Sequence, residues 1–162
     1  MNRTRLSRYR GYTLLEALVV LAILAILLGL AFQLRPSHLS AAAAAVRTQL
    51  MHARFEAIEQ NLPVAVVFDE ERQQFTTLLL RDGTAFPGCS GGDTLHTVSL
   101  RDYRGVRALS VPDKGLVWLP SGSGRTCSGS GAFNQTLRLG ERGRTAKVIV
   151  SRAGRVRVEV EV

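Results

Sequence analysis

An apolar run of 21 residues from Tyr12 to Phe32, broken by one charge at Glu16, constrains this chain more than any other feature. As a helix rising about 1.5 Å per residue it spans about 30 Å, the thickness of a bilayer's hydrocarbon core. The ten residues before Gly11 carry Arg3, Arg5, Arg8 and Arg10 and no acid. Basic flanks stay on the cytoplasmic side, so the run is predicted to cross a membrane once, with everything after Phe32 outside. A carboxylate in such a segment costs up to about 2.5–3.5 kcal/mol at mid-bilayer, and less near its edge. Glu16 therefore needs a partner or a function. An ordinary signal peptide has a shorter apolar core, followed by a small-residue cleavage site. Here the glycine, Gly11, stands before the core.

The stretch Gly11-Tyr12-Thr13-Leu14-Leu15-Glu16, with its basic leader and apolar continuation, resembles the processing signal of type IV prepilins and type II secretion pseudopilins. The resemblance implies cleavage by a prepilin peptidase between Gly11 and Tyr12, methylation of the new N-terminus at Tyr12, and Glu16 as the assembly glutamate. It also implies a division into a leader at 1–11, a transmembrane and assembly helix at 12–36, and a globular domain at 37–162. Tyr12 departs from the phenylalanine more usual at that place.

Losing residues 1–11 removes four of the 21 basic residues and no acid, which leaves 17 against 13, a net charge of about +4. Nineteen of the 21 are arginine, whose guanidinium grips phosphate in a bidentate way that lysine does not match. Cys89 and Cys127 form no C-x-x-C and sit in Gly/Ser-rich stretches. An exported domain meets an oxidising compartment, so one Cys89–Cys127 disulfide is expected; the alternative is two free thiols.

The helix is predicted to continue beyond the membrane through residue 60. Leu39, Ala43, Val46, Leu50, Ala53 and Ala57 recur at helical spacing on one face, with Arg47, Arg54, Glu56 and Glu59 off it. Pro36 is expected to kink or locally melt the helix, and Asn61 and Pro63 to end it. The rest reads as strands: 63–68, 74–81, 95–100, 106–111, 115–119, 135–139, 144–151 and 155–162. The loops at 82–93 and 120–132 are rich in glycine and serine, and Pro87 lies in the first. In the last strand Val156, Val158, Val160 and Val162 alternate with Arg155, Arg157, Glu159 and Glu161, valines toward the helix and charges toward solvent. The expected architecture is α+β and pilin-like, a long N-terminal helix packed on an antiparallel sheet.

No catalytic constellation, metal site or cofactor motif is expected. His38, His52 and His96 lack metal-ligand spacing, and Asp69, Glu70 and Glu71 read as a solvated turn. Gly122-Ser-Gly-Arg-Thr126 lacks the lysine and spacing of a phosphate loop.

One C-terminal segment carries a functional signal. Ser151-Arg152-Ala153-Gly154-Arg155-Val156-Arg157-Val158 resembles the closing hairpin of the FimT/GspH family of minor pilins and pseudopilins. In the FimT branch a G-R-x-R motif at this hairpin is implicated in DNA binding during natural transformation. Gly154, Arg155 and Arg157 match it. Along a strand, Arg155 and Arg157 place their Cβ atoms about 7 Å apart, near the phosphate spacing of one DNA strand. Residues 138–157 hold seven basic residues, among them Arg144, Lys147 and Arg152, against one acid. Such a patch binds nucleic acid without sequence preference through counterion release. Glu159 and Glu161 continue the same face and oppose phosphate. No aromatics interleave with the arginines, so stacking on a single strand is not indicated. The bland alternative is a solvated strand with arginine–glutamate cross-strand pairs.

The resemblance thus implies a non-enzymatic minor type IV pilin that takes part in pilus assembly and DNA uptake. Its partners would be other pilin subunits, the prepilin peptidase, the inner membrane and DNA. It would be a single-pass inner-membrane protein with its C-terminal domain in the periplasm. The competing reading is a GspH-like minor pseudopilin of a type II secretion system with a purely structural role.

Overall fold

The computed structural model describes residues 13–33, 37–81, 88–129 and 134–161. Gly11, Tyr12, Pro36, Pro87 and Val162 lie outside them. The chain divides into two compact units, Met1–Pro36 and Ser37–Val162.

The first unit contains helix α1, Leu14–Gln33. Thr13 opens it, its hydroxyl accepting from the Glu16 amide at 3.3 Å. Threonine followed three residues on by glutamate is a capping pattern, so Glu16 falls where a carboxylate also meets the positive end of the helix dipole. The α1 side chains described, residues 14–29, are all exposed. Among the described residues no helix is long and apolar enough on its own to cross a membrane.

Helix α2, His38–Glu59, begins afresh in the second unit. Ser37 is its N-cap, extended in backbone, with its hydroxyl accepting from the Ser40 amide. Helical hydrogen bonding of α2 starts at the Ser37 carbonyl, which accepts from the Ala41 amide at 3.0 Å; the break expected at Pro36 lies outside the described residues. A second cap comes from far along the chain: the Glu141 carboxylate accepts from the Leu39 amide at 3.3 Å. The helix ends at Gln60, and Asn61 turns left-handed at φ 53°. Its buried face comprises Leu39, Ala42, Ala43, Val46, Gln49, Leu50, Ala53 and Ala57. The alanines let strands approach the helix closely.

The sheet expected as one is two. Strands β1 (Val64–Asp69), β2 (Gln74–Leu79), β3 (Asp93–Ser99), β5 (Gly115–Trp118) and β6 (Gly124–Thr126) form a five-stranded sheet in the order β3-β2-β1-β5-β6. Strands β4 (Arg107–Ser110), β7 (Gln135–Glu141), β8 (Arg144–Val150) and β9 (Val156–Glu161) form a four-stranded sheet in the order β4-β7-β8-β9. Every pairing is antiparallel. Helix α2 packs against strands of both sheets, so one core joins them. The 120–132 segment, expected as loop, contains β6. Only three residues long, with a glycine first, that strand has no legible periodicity. Leu100–Asp102 is a 3-10 turn, although Leu100 was expected to close β3.

A second cluster covers the other face of the five-stranded sheet: Ala65, Leu80, Val117, Cys89 and Cys127. The two cysteines form a disulfide with Cα atoms 5.3 Å apart. Strand β1 is thus buried on both faces, which explains its continuous apolar sequence.

Candidate functional site

The β8–β9 turn is held by its own backbone. The Ser151 amide donates to the Arg155 carbonyl at 2.9 Å, and the Gly154 amide donates to the Ser151 carbonyl at 2.8 Å. The Arg155 amide donates to the Ser151 hydroxyl at 3.1 Å, and the Arg152 amide to Asn134 Oδ1 at 3.3 Å. Gly154 is buried at φ 79°, a conformation L side chains rarely adopt. A Cβ there would lie 2.8 Å from the Arg54 guanidine carbon.

Arg54 is the residue the sequence reading missed. It lies on α2, off the buried stripe, where the sequence gives it no role. Its Nε donates to the Gly122 carbonyl at 3.0 Å and its NH1 to the Gly154 carbonyl at 3.2 Å. One guanidinium thereby ties α2 to the turn before β6 and to the β8–β9 turn. No local signal marks it, since its partners lie 68 and 100 residues away. The glycine of the G-R-x-R match consequently has a packing role: it makes room for Arg54.

The six candidate DNA-binding residues do not form one patch. Arg152, Gly154, Arg155 and Arg157 gather at the turn and the start of β9, and the three arginines are exposed. Arg155 precedes the first residue of β9, and Arg157 stands opposite Ile149. Among the described residues none of these three arginines makes an ion pair. Lys147 stands opposite Glu159 and is ion-paired with Glu161. Arg144 is at the far end of β8, about 20 Å of strand from the turn, and approaches Glu141 at 3.5 Å. Glu141 is only 7% exposed and spends its carboxylate on Arg144 and the α2 N-terminus.

The expected valine stripe of β9 holds at its beginning and fades along its length. Val156 is buried, Val158 half-buried and Val160 exposed along β9, the edge strand of its sheet. No aromatic interleaves with these arginines along the chain, but the fold brings Phe55 to the same groove as Arg155. A groove of about 300 Å³ between α2 and the turn is lined by Arg47, Met51, Phe55 and Arg155, with Arg54 and Gly154 at its base. Phe55 precedes the motif by a hundred residues, so no local pattern connects them.

Glu16 is exposed and has no ion-pair partner among the described residues. No group of three or more His, Cys, Asp or Glu arranged to hold a metal occurs among the described residues. His52 and His96 face one groove between α2 and β3, together with Glu56 and Tyr103.

Residues 6–32 match the prokaryotic N-terminal methylation motif, and residues 42–154 match the family described as type II transport protein GspH. The chain is 35% identical to the pilin-like protein PilA1 of Thermus thermophilus, over 93% of this chain and 98% of that one. Its fold resembles the minor pseudopilin EpsH of the Vibrio cholerae type 2 secretion system, at a TM-score of 0.57 and 18% identity, covering 76% of this chain and 98% of that one. It likewise resembles the type IV minor pilin FimU of Pseudomonas aeruginosa, at a TM-score of 0.56 and 19% identity, covering 75% and 92%.

Proposed function

Because the chain belongs to the GspH family of type II transport proteins, whose folds recur in minor pilins and minor pseudopilins, we propose that it is a minor pilin subunit that binds DNA at its β8–β9 turn. It is made as a prepilin, cut after Gly11 and methylated at Tyr12. Residues 12–32 then hold it in the inner membrane, with the second unit in the periplasm, until a fibre takes it up. The membrane reading rests on the sequence: the described α1 side chains cover about 24 Å of helix, and the apolar run continues past them at both ends. An apolar helix with every described side chain exposed needs lipid or neighbouring helices to cover it. The role is one of assembly and binding, not catalysis.

The observation that carries DNA binding is the cluster of Arg152, Arg155 and Arg157, exposed and without ion-pair partners among the described residues, on a turn clamped by Arg54. Guanidiniums held on a rigid turn suit phosphate oxygens, and the contact carries no sequence information. Binding to duplex DNA should weaken with salt, with a log–log slope of about 0.9 per phosphate contacted. Replacing Arg155 and Arg157 with Gln should flatten that slope by about 1.8 if each contacts one phosphate. Glu159→Lys should strengthen binding by removing a like charge from the same strand. Absence of any duplex binding by micromolar protein at low salt would sink the DNA reading.

A second reading has its own support. Glu159 and Glu161 lie on the strand that carries Arg157, and Lys147 is already paired with Glu161. Mixed charge of this kind suits contacts between subunits, as in a structural pseudopilin. Genomic neighbourhood separates the two: competence and pilus genes favour the first, secretion genes the second.

A further inference from the structure

We infer that the groove between α2 and the β8–β9 turn is a binding site for single-stranded nucleic acid, with Phe55 as a stacking platform and Arg47 and Arg155 as phosphate clamps beside it. The inference rests on the DNA-binding reading above and assigns that site the form of its ligand. Phe55 is 64% exposed and its neighbour Met51 37%, although the opposite face of the same helix is fully packed. Arg47, Met51 and Phe55 succeed one another at four-residue spacing and line the groove along about 12 Å of helix.

Charge selects the occupant. Three arginines and no carboxylate line the groove. The outer face of β9, by contrast, carries Glu159 and Glu161 as well as Arg157. An anionic chain therefore finds its least opposed path from Arg157 past Arg155 into the groove. The aromatic selects the form. A duplex keeps its bases in their own stack and presents only phosphates, which would leave Phe55 in water. An unpaired strand presents base faces, and stacking on an aromatic ring tolerates any base. The base of the groove is rigid, because Arg54 is fixed by the Gly122 and Gly154 carbonyls.

The test uses the full chain in nonionic detergent, titrated at low salt into a fluorescent 20-nucleotide thymidine strand and into a blunt 20-base-pair duplex. Phe55→Ala should weaken single-strand binding by about 5- to 150-fold, the measured range for removing one stacking aromatic. Duplex binding should stay within about twofold. Phe55→Trp should restore single-strand affinity, and its fluorescence should be quenched by the strand. Because Phe55 is mostly exposed, unchanged circular dichroism is expected for both variants. Equal loss on strand and duplex, or no loss on either, overturns the inference. So does a Phe55→Ala variant that keeps strand binding but loses self-association, which would make the groove a subunit contact. Failure of the broader reading looks different: neither nucleic acid binds the unmodified chain, or Gln at 155 and 157 leaves duplex binding and its salt slope unchanged.

Discussion

Arg54 and Gly154 depend on each other. The arginine needs two carbonyls to satisfy its donors, and the glycine leaves the space in which the guanidinium lies. Gly154→Ala should destabilise the second unit by about 1–3 kcal/mol, through a left-handed alanine and a clash with Arg54. Arg54→Met keeps the aliphatic stem and removes the hydrogen bonds, for a loss of about 1–2 kcal/mol. Each kcal/mol lowers the midpoint by about 3–5 °C for a unit of this size, which thermal unfolding can read. If Gly154→Ala melts with the parent, the packing assigned to this turn is wrong. Glu141 follows a similar logic. It is an acid in a basic stretch, yet its carboxylate is committed to the α2 N-terminus and Arg144, about 20 Å of strand from the turn that carries Arg152 and Arg155.

At the scale of elements, the disulfide and the two sheets define the stable frame. Cys89 precedes β3 and Cys127 follows β6, the two edge strands of the five-stranded sheet. Their bond closes the cluster over Ala65 and Val117. In the chain-entropy account, a crosslink spanning 38 residues stabilises by about 3–4 kcal/mol. Reduction should therefore lower the midpoint by about 10–20 °C. Mass spectrometry under non-reducing conditions should find no free thiol, and two alkylatable cysteines would contradict the bond. The β8–β9 hairpin should feel reduction least, because its sheet touches the disulfide layer only through the shared core.

For the molecule as a whole, the two units pose separate questions. The second carries its own core, and the first exposes its apolar side chains. Processing should depend on Gly11, because the peptidase must accept a small residue before the cut. A bulky residue there should leave full-length precursor in the membrane; mature protein still beginning at Tyr12 would show the signal to be misassigned. Glu16→Ala removes an acid from an apolar run, so membrane insertion should be no worse. We propose that Glu16 pairs with a neighbouring subunit's N-terminal amine; the same change then removes that partner, and incorporation into fibres should fall. Glu16 lies in the first turn of α1 and makes no ion pair among the described residues. Normal incorporation of Glu16→Ala, measured by immunoblot of sheared fibres, would remove that pairing from the account.

The sequence by itself determined whatever depends on neighbours along the chain. The apolar run, the buried stripe of α2 from Leu39 to Ala57, the turns flanking β8 and the alternation of β9 are periodic, and periodicity is local. The G-R-x-R match was legible for the same reason. Contacts between distant segments were not legible. Nothing near Arg54 announces carbonyls at Gly122 and Gly154, nothing near Phe55 announces Arg155, and nothing near Glu141 announces the start of a helix about a hundred residues earlier. The division into two sheets likewise depends on which strands pair, and strands of similar composition do not encode that choice one at a time. Burial is a property of the assembled layers: along the edge strand β9 it falls from Val156 to Val160, although the valines repeat without change. Local pattern chose the elements, and only packing in three dimensions decided which side chains hold the fold and which stay exposed.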